Sequence, residues 1–224
     1  ETGTPSFLIN LIKEKNWYPP AIENTHATKS LFSVYDLERL QLEALLFQTG
    51  YITIKTLRGM LYTFDYPNQE VKTAFLENLF YSYTENYGEG SLFALLCEYL
   101  ELQDIDNFIE TMITIYGTIP NILESKRDEA YFHTIFYLMV SASGVRANSE
   151  VLICKGRIDL VVELSDKIYI IEFKCNQSSD TAIEQIKNNN YAVPYLKKGK
   201  TIHLMGINFD TEKRNITDWK HEVL

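Results

Sequence analysis

Gly156-Arg157-Ile158-Asp159 and Ile171-Glu172-Phe173-Lys174 bring two carboxylates and an ammonium into an otherwise apolar stretch of chain. Both segments read as strands, because residues 157–164 and 167–175 are rich in Val, Ile, Leu, Tyr and Phe. The polar link Ser165-Asp166-Lys167 is short enough to fold them into a hairpin. Side chains two apart on a strand share a face, so Glu172 and Lys174 point together. Hairpin pairing sets Asp159 opposite that end of the second strand. Solvated surface charges have no need to converge in this way, whereas a hard divalent cation and an anionic substrate do. The plainer alternative is an ion-pair network at the edge of the core, joining Asp159 and Glu172 to Arg157 or Lys174.

The flanking sequence predicts the elements that must position these groups. Residues 126–143 read as a long apolar helix ended by Gly144. Strands follow at 145–154, 156–164 and 167–175, then a helix at 180–190 and strands at 201–209 and 214–222. Upstream, residues 5–15 predict a short helix with Thr4 as its cap and Pro5 at its first position. Residues 36–47 predict an amphipathic helix ended by Gly50. Two strands at 51–55 and 60–64 turn about Leu57-Arg58-Gly59. A helix followed by a β-hairpin is the outline of a winged-helix-like element. Three more helices are expected at 68–83, 91–102 and 104–116, capped by Asn68, Ser91 and Asp104. Gly88-Glu89-Gly90 and Gly117 to Pro120 break them apart.

The composition, 46% hydrophobic and 13% aromatic, belongs to a globular chain. No apolar run is long enough to span a membrane, and no secretory leader pattern opens the chain. Cys97, Cys154 and Cys175 lack zinc spacing. The latter two fall on predicted strands, so they are expected as buried thiols, and a cytoplasmic location is expected. The net charge of −9 argues at first against nucleic acid. Its distribution changes that reading. Residues 1–124 carry 7 Lys+Arg against 17 Asp+Glu, whereas residues 125–224 carry 14 against 13. Lys187, Lys197, Lys198 and Lys200 cluster after the hairpin. They suit contact with a phosphate backbone, although a solvated basic face is the commoner explanation. No Gly-x-x-x-x-Gly-Lys-[Ser/Thr], Gly-x-Ser-x-Gly or His-Glu-x-x-His motif is present.

The paired motifs resemble the PD-(D/E)xK nuclease superfamily, with the first motif reduced to Ile158-Asp159 and the second standing as Glu172-Phe173-Lys174. Residues 129–219 resemble the nuclease-like domain found C-terminal to AAA-ATPase-like domains in many bacterial proteins. The pieces that carry this are Glu129-Ala130-Tyr131-Phe132-His133, the two motifs, Gln185-Ile186-Lys187, Tyr191 and Gly206-Ile207-Asn208-Phe209. Thr2-Gly3-Thr4-Pro5-Ser6-Phe7-Leu8, Leu45 to Tyr51 and Tyr66-Pro67-Asn68-Gln69-Glu70-Val71 fit the region between ATPase and nuclease in those proteins.

The resemblance implies an α/β (α+β) restriction-endonuclease-like core, α-β-β-β-α-β, at residues 120–224. Before it, residues 1–119 would be a mainly helical linker region resembling the C-terminal part of an AAA-ATPase-like domain. It implies a metal-dependent phosphodiesterase acting on nucleic acid, DNA in preference, with Mg²⁺ or Mn²⁺ held by Asp159, Glu172 and Glu129. Glu150 competes with Glu129 for the third place. Lys174 would act on the attacking water or on charge developing at phosphorus. Gln185 would point back from its helix to hold a phosphate or the water. His133 and Arg157 could reach the site, but a core histidine and a strand-edge ion pair are the plainer readings. Tyr191 is expected to pack at its helix end. The chain is expected to be a piece of a longer protein with an ATPase domain upstream. The alternative is a non-hydrolytic nucleic-acid-binding or regulatory module that retains the fold. A protein-interaction module, with the front helices as its working part, is a third reading.

Overall fold

The computed structural model describes residues 6–14, 19, 22, 26–29, 31, 42–84, 90–119 and 129–224. The expected cap Thr4, Pro5, residues 36–41, the break at Gly88-Glu89, Pro120 and residues 126–128 lie outside them. Helix α1 spans Ser6–Glu14, and a two-residue strand β1, His26–Ala27, follows. Helix α2, Leu42–Gln48, leads into the hairpin of β2, Thr53–Arg58, and β3, Leu61–Asp65. Gly59 turns this hairpin at φ +62° together with Met60, so β2 runs three residues further than expected. β1 adds to β3 to make a three-stranded sheet.

Three helices come next: α3, Gln69–Thr84, α4, Gly90–Leu102, and α5, Ile105–Thr118. Asn68 Oδ1 accepts the Val71 N–H at 2.8 Å and Asp104 accepts that of Asn107, so both expected caps are made. Ser91 instead lies inside α4.

The second half is the α-β-β-β-α-β core. Its elements are α6, Glu129–Ala142, then β4, Arg146–Ile153, β5, Gly156–Glu163, and β6, Lys167–Cys175. Helix α7, Ser179–Asn188, and a 3₁₀ turn at Val193–Lys198 follow. Strands β7, Thr201–Asp210, and β8, Asn215–Val223, close the chain. The five strands lie in the order β4-β5-β6-β7-β8. Only β6 and β7 are parallel, and α7 is the crossover between them. This is a mixed α/β architecture of the restriction-endonuclease-like kind.

The sheet is covered on both faces. On β6, Tyr169, Ile171 and Phe173 join the large cluster that contains α6. Ile168 and Ile170 join a second cluster under α7 with Ile183, Ile186 and Tyr191. Glu172 and Lys174 continue that second alternation, so they stand on the α7 face. The α6-side cluster runs without interruption from Leu8 to Ile216. Every residue of α6 from Tyr131 to Ala142 is buried, because the sheet covers one side and the front helices the other. Polar side chains pin the front to the sheet. Lys72 Nζ donates to the Ala147 carbonyl at 3.0 Å, Tyr169 Oη to that of Leu100 at 2.6 Å, and Asn215 Nδ2 to that of Ile113 at 3.0 Å.

Candidate active site

Strands β5 and β6 pair from Glu163 opposite Ile168 to Leu160 opposite Ile171, and then the ladder opens. One step further, Asp159 comes beside Glu172. At the opening, Asp159 Oδ2 accepts the Phe173 N–H at 2.9 Å. On the other flank, Ser149 pairs with Leu160 and Val151 with Ile158 without a shift, so Glu150 lies laterally beside Asp159. Glu150 has φ +55°, an uncommon backbone conformation for a glutamate. Glu150, Asp159 and Glu172 therefore occupy one row across three adjacent strands.

Two elements crowd the row from above and below. Helix α7 sits tightly on β7, which puts Gly206 next to Glu172 in the register. A Cβ at Gly206 would meet the Ser179 carbonyl oxygen inside any tolerable contact distance, and Ala182 Cβ at 3.0 Å. Glycine thus lets the helix seat, and Gln185 then reaches Glu172 Oε1 with its Nε2. The seat is fixed at its start as well. Asn208 Oδ1 accepts the Gln177 N–H at 2.8 Å, and Asp218 Oδ2 accepts that of Ser179 at 2.7 Å. From the opposite face, His133 Nε2 lies 3.1 Å from the Asp159 carbonyl oxygen, and its Nδ1 3.6 Å from Glu150 Oε1. His133 is buried and its pKa is lowered to about 4, chiefly by burial, so at neutral pH it is an uncharged brace for Asp159.

The carboxylates are held out of their ordinary range. Glu172 is 2% exposed, and burial, then the charge of Asp159, pushes its pKa up to about 8. Asp159 rises to about 6. Burial is the main cause; Glu150 and Glu129 add to it, against the Phe173 N–H and the Lys174 ammonium. Lys174 Nζ lies 3.3 Å from Glu172 Oε1 and donates to the Phe173 carbonyl at 3.0 Å. Glu172 Oε2, buried, has no hydrogen-bond partner among the described residues. These two adjacent carboxyls, one half-buried and one buried, keep a proton between them at neutral pH unless a cation joins them, and one oxygen stands ready to bind it. Among the described residues no three His, Cys, Asp or Glu side chains already converge as a ligand cage. A pair of carboxylates supplemented by waters and phosphate oxygens is the donor set that suits Mg²⁺ or Mn²⁺.

The structure thus brings Asp159, Glu172, Lys174 and Gln185 together. Glu129, at the exposed first turn of α6, lies within electrostatic reach of Asp159. Arg157 forms an ion pair with Glu150. Tyr191 packs as expected, but its hydroxyl also accepts from Gln185 Nε2 at 3.3 Å and Asn189 Nδ2 at 3.1 Å, and neither role was foreseen. Asn189, just past the last turn of α7, is the kind of residue that reads as a helix terminus only. Cys154 departs from expectation. It is exposed, because Cys154 and Lys155 form the turn between β4 and β5, and Cys175, last in β6, is only half-buried. The basic cluster is also neutralised in part. Lys198 and Lys200 flank Glu163 at 2.8 and 2.9 Å, and Lys187 pairs with Glu222 at 2.6 Å.

Comparison with known proteins bears on this geometry. Residues 127–219 match the family profile of the PD-(D/E)XK nuclease superfamily, whose members generally use divalent metal ions. The whole chain is 31% identical, over 239 residues, to an uncharacterized protein in the vnfD 5′ region of Azotobacter chroococcum mcd 1. It spans 46% of that relative's length. No solved structure matches. No helix among the described residues is long and apolar enough to cross a membrane.

Proposed function

We propose, because residues 127–219 match the profile of the PD-(D/E)XK nuclease superfamily, that the chain is the nuclease part of a larger protein and hydrolyses phosphodiester bonds in DNA. The observation that carries the reading is the pair of half-buried Asp159 and buried Glu172, with raised pKa values and the unpartnered Glu172 Oε2 beside Lys174. Asp159 and Glu172 would hold Mg²⁺ or Mn²⁺. Glu129 would supply the third carboxylate, because Glu150 is engaged by Arg157. When bound, the ion acts as a Lewis acid on a phosphate oxygen and lowers the pKa of water. Lys174 offsets charge developing on the phosphoryl oxygens. Gln185 holds Glu172 in place. The remainder of the intact protein is proposed to carry an AAA-ATPase-like domain, in keeping with the length of the relative.

The test is calorimetry with Mn²⁺ together with cleavage of a panel of DNA and RNA substrates. The expected result is metal-dependent DNA cleavage in the parent and loss of both binding and cleavage in Asp159→Ala. Mn²⁺ binding unchanged by that substitution would show the site to be elsewhere.

A further inference from the structure

Tyr191 lies three residues past the end of α7 and is 1% exposed. Its ring packs with Ile158, Ile183 and Ile186, so it is held by both the helix and β5. Its hydroxyl receives two amides, Asn189 Nδ2 at 3.1 Å and Gln185 Nε2 at 3.3 Å. The same Gln185 nitrogen donates to Glu172 Oε1. Gln185 thus commits both amide protons, one to the tyrosine and one to the carboxylate. A glutamine has several rotatable bonds, and fixing them costs conformational entropy. A hydrogen bond to one flexible partner sets its direction poorly, and a second bond to a rigid, buried ring sets it well.

The strand that carries Asp159 has a share in this arrangement. A Cβ at Gly156 would stand 3.0 Å from the Tyr191 hydroxyl, so the bare backbone at the start of β5 leaves the space that the hydroxyl occupies. Gly156 also has φ +153°, a conformation that side chains rarely adopt. One hydroxyl therefore links the start of the Asp159 strand to the helix that touches Glu172.

We propose that Tyr191, backed by Asn189, is a positioning residue that aims Gln185 at Glu172 Oε1 and so fixes the direction in which Glu172 presents its unpartnered Oε2 to a divalent cation. This rests on the reading of the site as a metal-dependent nuclease. Tyr191 and Asn189 touch neither the cation nor the substrate; they act through Gln185.

Tyr191→Phe keeps the buried ring and deletes the hydroxyl. Mn²⁺ titration calorimetry and DNA cleavage are measured for the parent, Tyr191→Phe, Asn189→Ala, Gln185→Ala and the double variant Tyr191→Phe/Gln185→Ala. Tyr191→Phe should weaken Mn²⁺ binding about fivefold, the worth of one hydrogen bond, with little change in melting temperature without metal. Asn189→Ala should move affinity the same way by less. The double variant should be no worse than Gln185→Ala alone, because the effect passes through that side chain. Parental Mn²⁺ affinity in Tyr191→Phe, or losses that multiply in the double variant, would overturn the proposal and leave the nuclease reading standing. A parent that neither binds Mn²⁺ nor cleaves would overturn that reading, and the proposal with it.

Discussion

Phe173 gives its main-chain N–H to Asp159 Oδ2 at 2.9 Å at the point where the β5–β6 ladder opens. The carboxylate takes the place of a strand partner. It is thereby set beside Glu172 with a geometry that the backbone dictates, and the two acids can share a cation without either having to search for it.

The first prediction concerns pH. Glu172 is raised to about 8 in the fold, so without metal this carboxyl keeps in the folded chain a proton that it loses in the unfolded chain from about pH 4.5 to 8. Its contribution to stability falls as the pH rises through that range. His133 and His203, both lowered to about 4, and His221, also lowered, act in the opposite sense, chiefly below about pH 7. The interval from pH 7 to 8 is therefore governed mainly by Glu172, because the raised thiol of Cys97 adds in the same sense only above it. About 1 kcal/mol should be lost there, a fall of about 2–4 °C in melting temperature. Glu172→Gln should flatten the slope, and so should saturating Mn²⁺. A slope unaltered in Glu172→Gln would assign the pH dependence to another group.

The second separates chemistry from architecture. Lys174 has no lone pair while protonated, so it does not bind the ion. Lys174→Ala should keep Mn²⁺ binding and lose cleavage by about a hundredfold, the worth of one well-placed cation in a transition state. Near-parental cleavage at saturating metal would reduce Lys174 to an ion-pair partner of Glu172.

The third concerns the seat of α7. Gly206→Ala would drive a methyl against the Ser179 carbonyl, which is backbone and cannot swing aside. The helix must shift, at a cost of about 1–3 kcal/mol, and Gln185 shifts with it. Thermal melting should show the loss, and cleavage should fall further than stability alone explains. A parental melting temperature would mean that the helix accommodates the methyl.

The fourth concerns the lysines after α7. Glu163 lies four residues along β5 from Asp159, about 13 Å away, and already pairs with Lys198 and Lys200. Replacing both lysines by Ala should leave the salt dependence of DNA binding close to parental. A slope that falls by about one or more would place these lysines on the phosphate backbone.

The elements of the second half were legible because their apolar periods are strong and their breaks are glycines and polar turns. The observed bounds of β5, β6 and β7 lie within a residue of those expected. Asp159, Glu172 and Lys174 were legible as a set because strand alternation and hairpin pairing are local rules. Cys154 was misplaced for the converse reason. The apolar run does not show where β4 stops and a two-residue turn begins. The hydroxyl of Tyr191 was not legible at all, since its partners depend on how α7 lies on the sheet. The backbone of Glu150 at φ +55° leaves no mark in the residue type. The pairing of β1 with β3 joins distant segments, and two residues are too few to show a period.

Helix α6 carries Glu129 and His133, yet it has almost no surface of its own between Tyr131 and Ala142. The stretch marked out by family likeness begins at residue 127, beside this helix, and leaves out α3 and α4, which cover it, and α5, whose Phe108 and Tyr116 touch its Phe136 and Phe132. Cutting the chain there would turn the most deeply enclosed helix among the described residues into an outer wall of Phe, Tyr, Ile, Leu and Met. The stretch that matches the family profile and the packed unit have different borders among the described residues. A domain swap or expression clone designed on the first would fail for reasons that belong to the second.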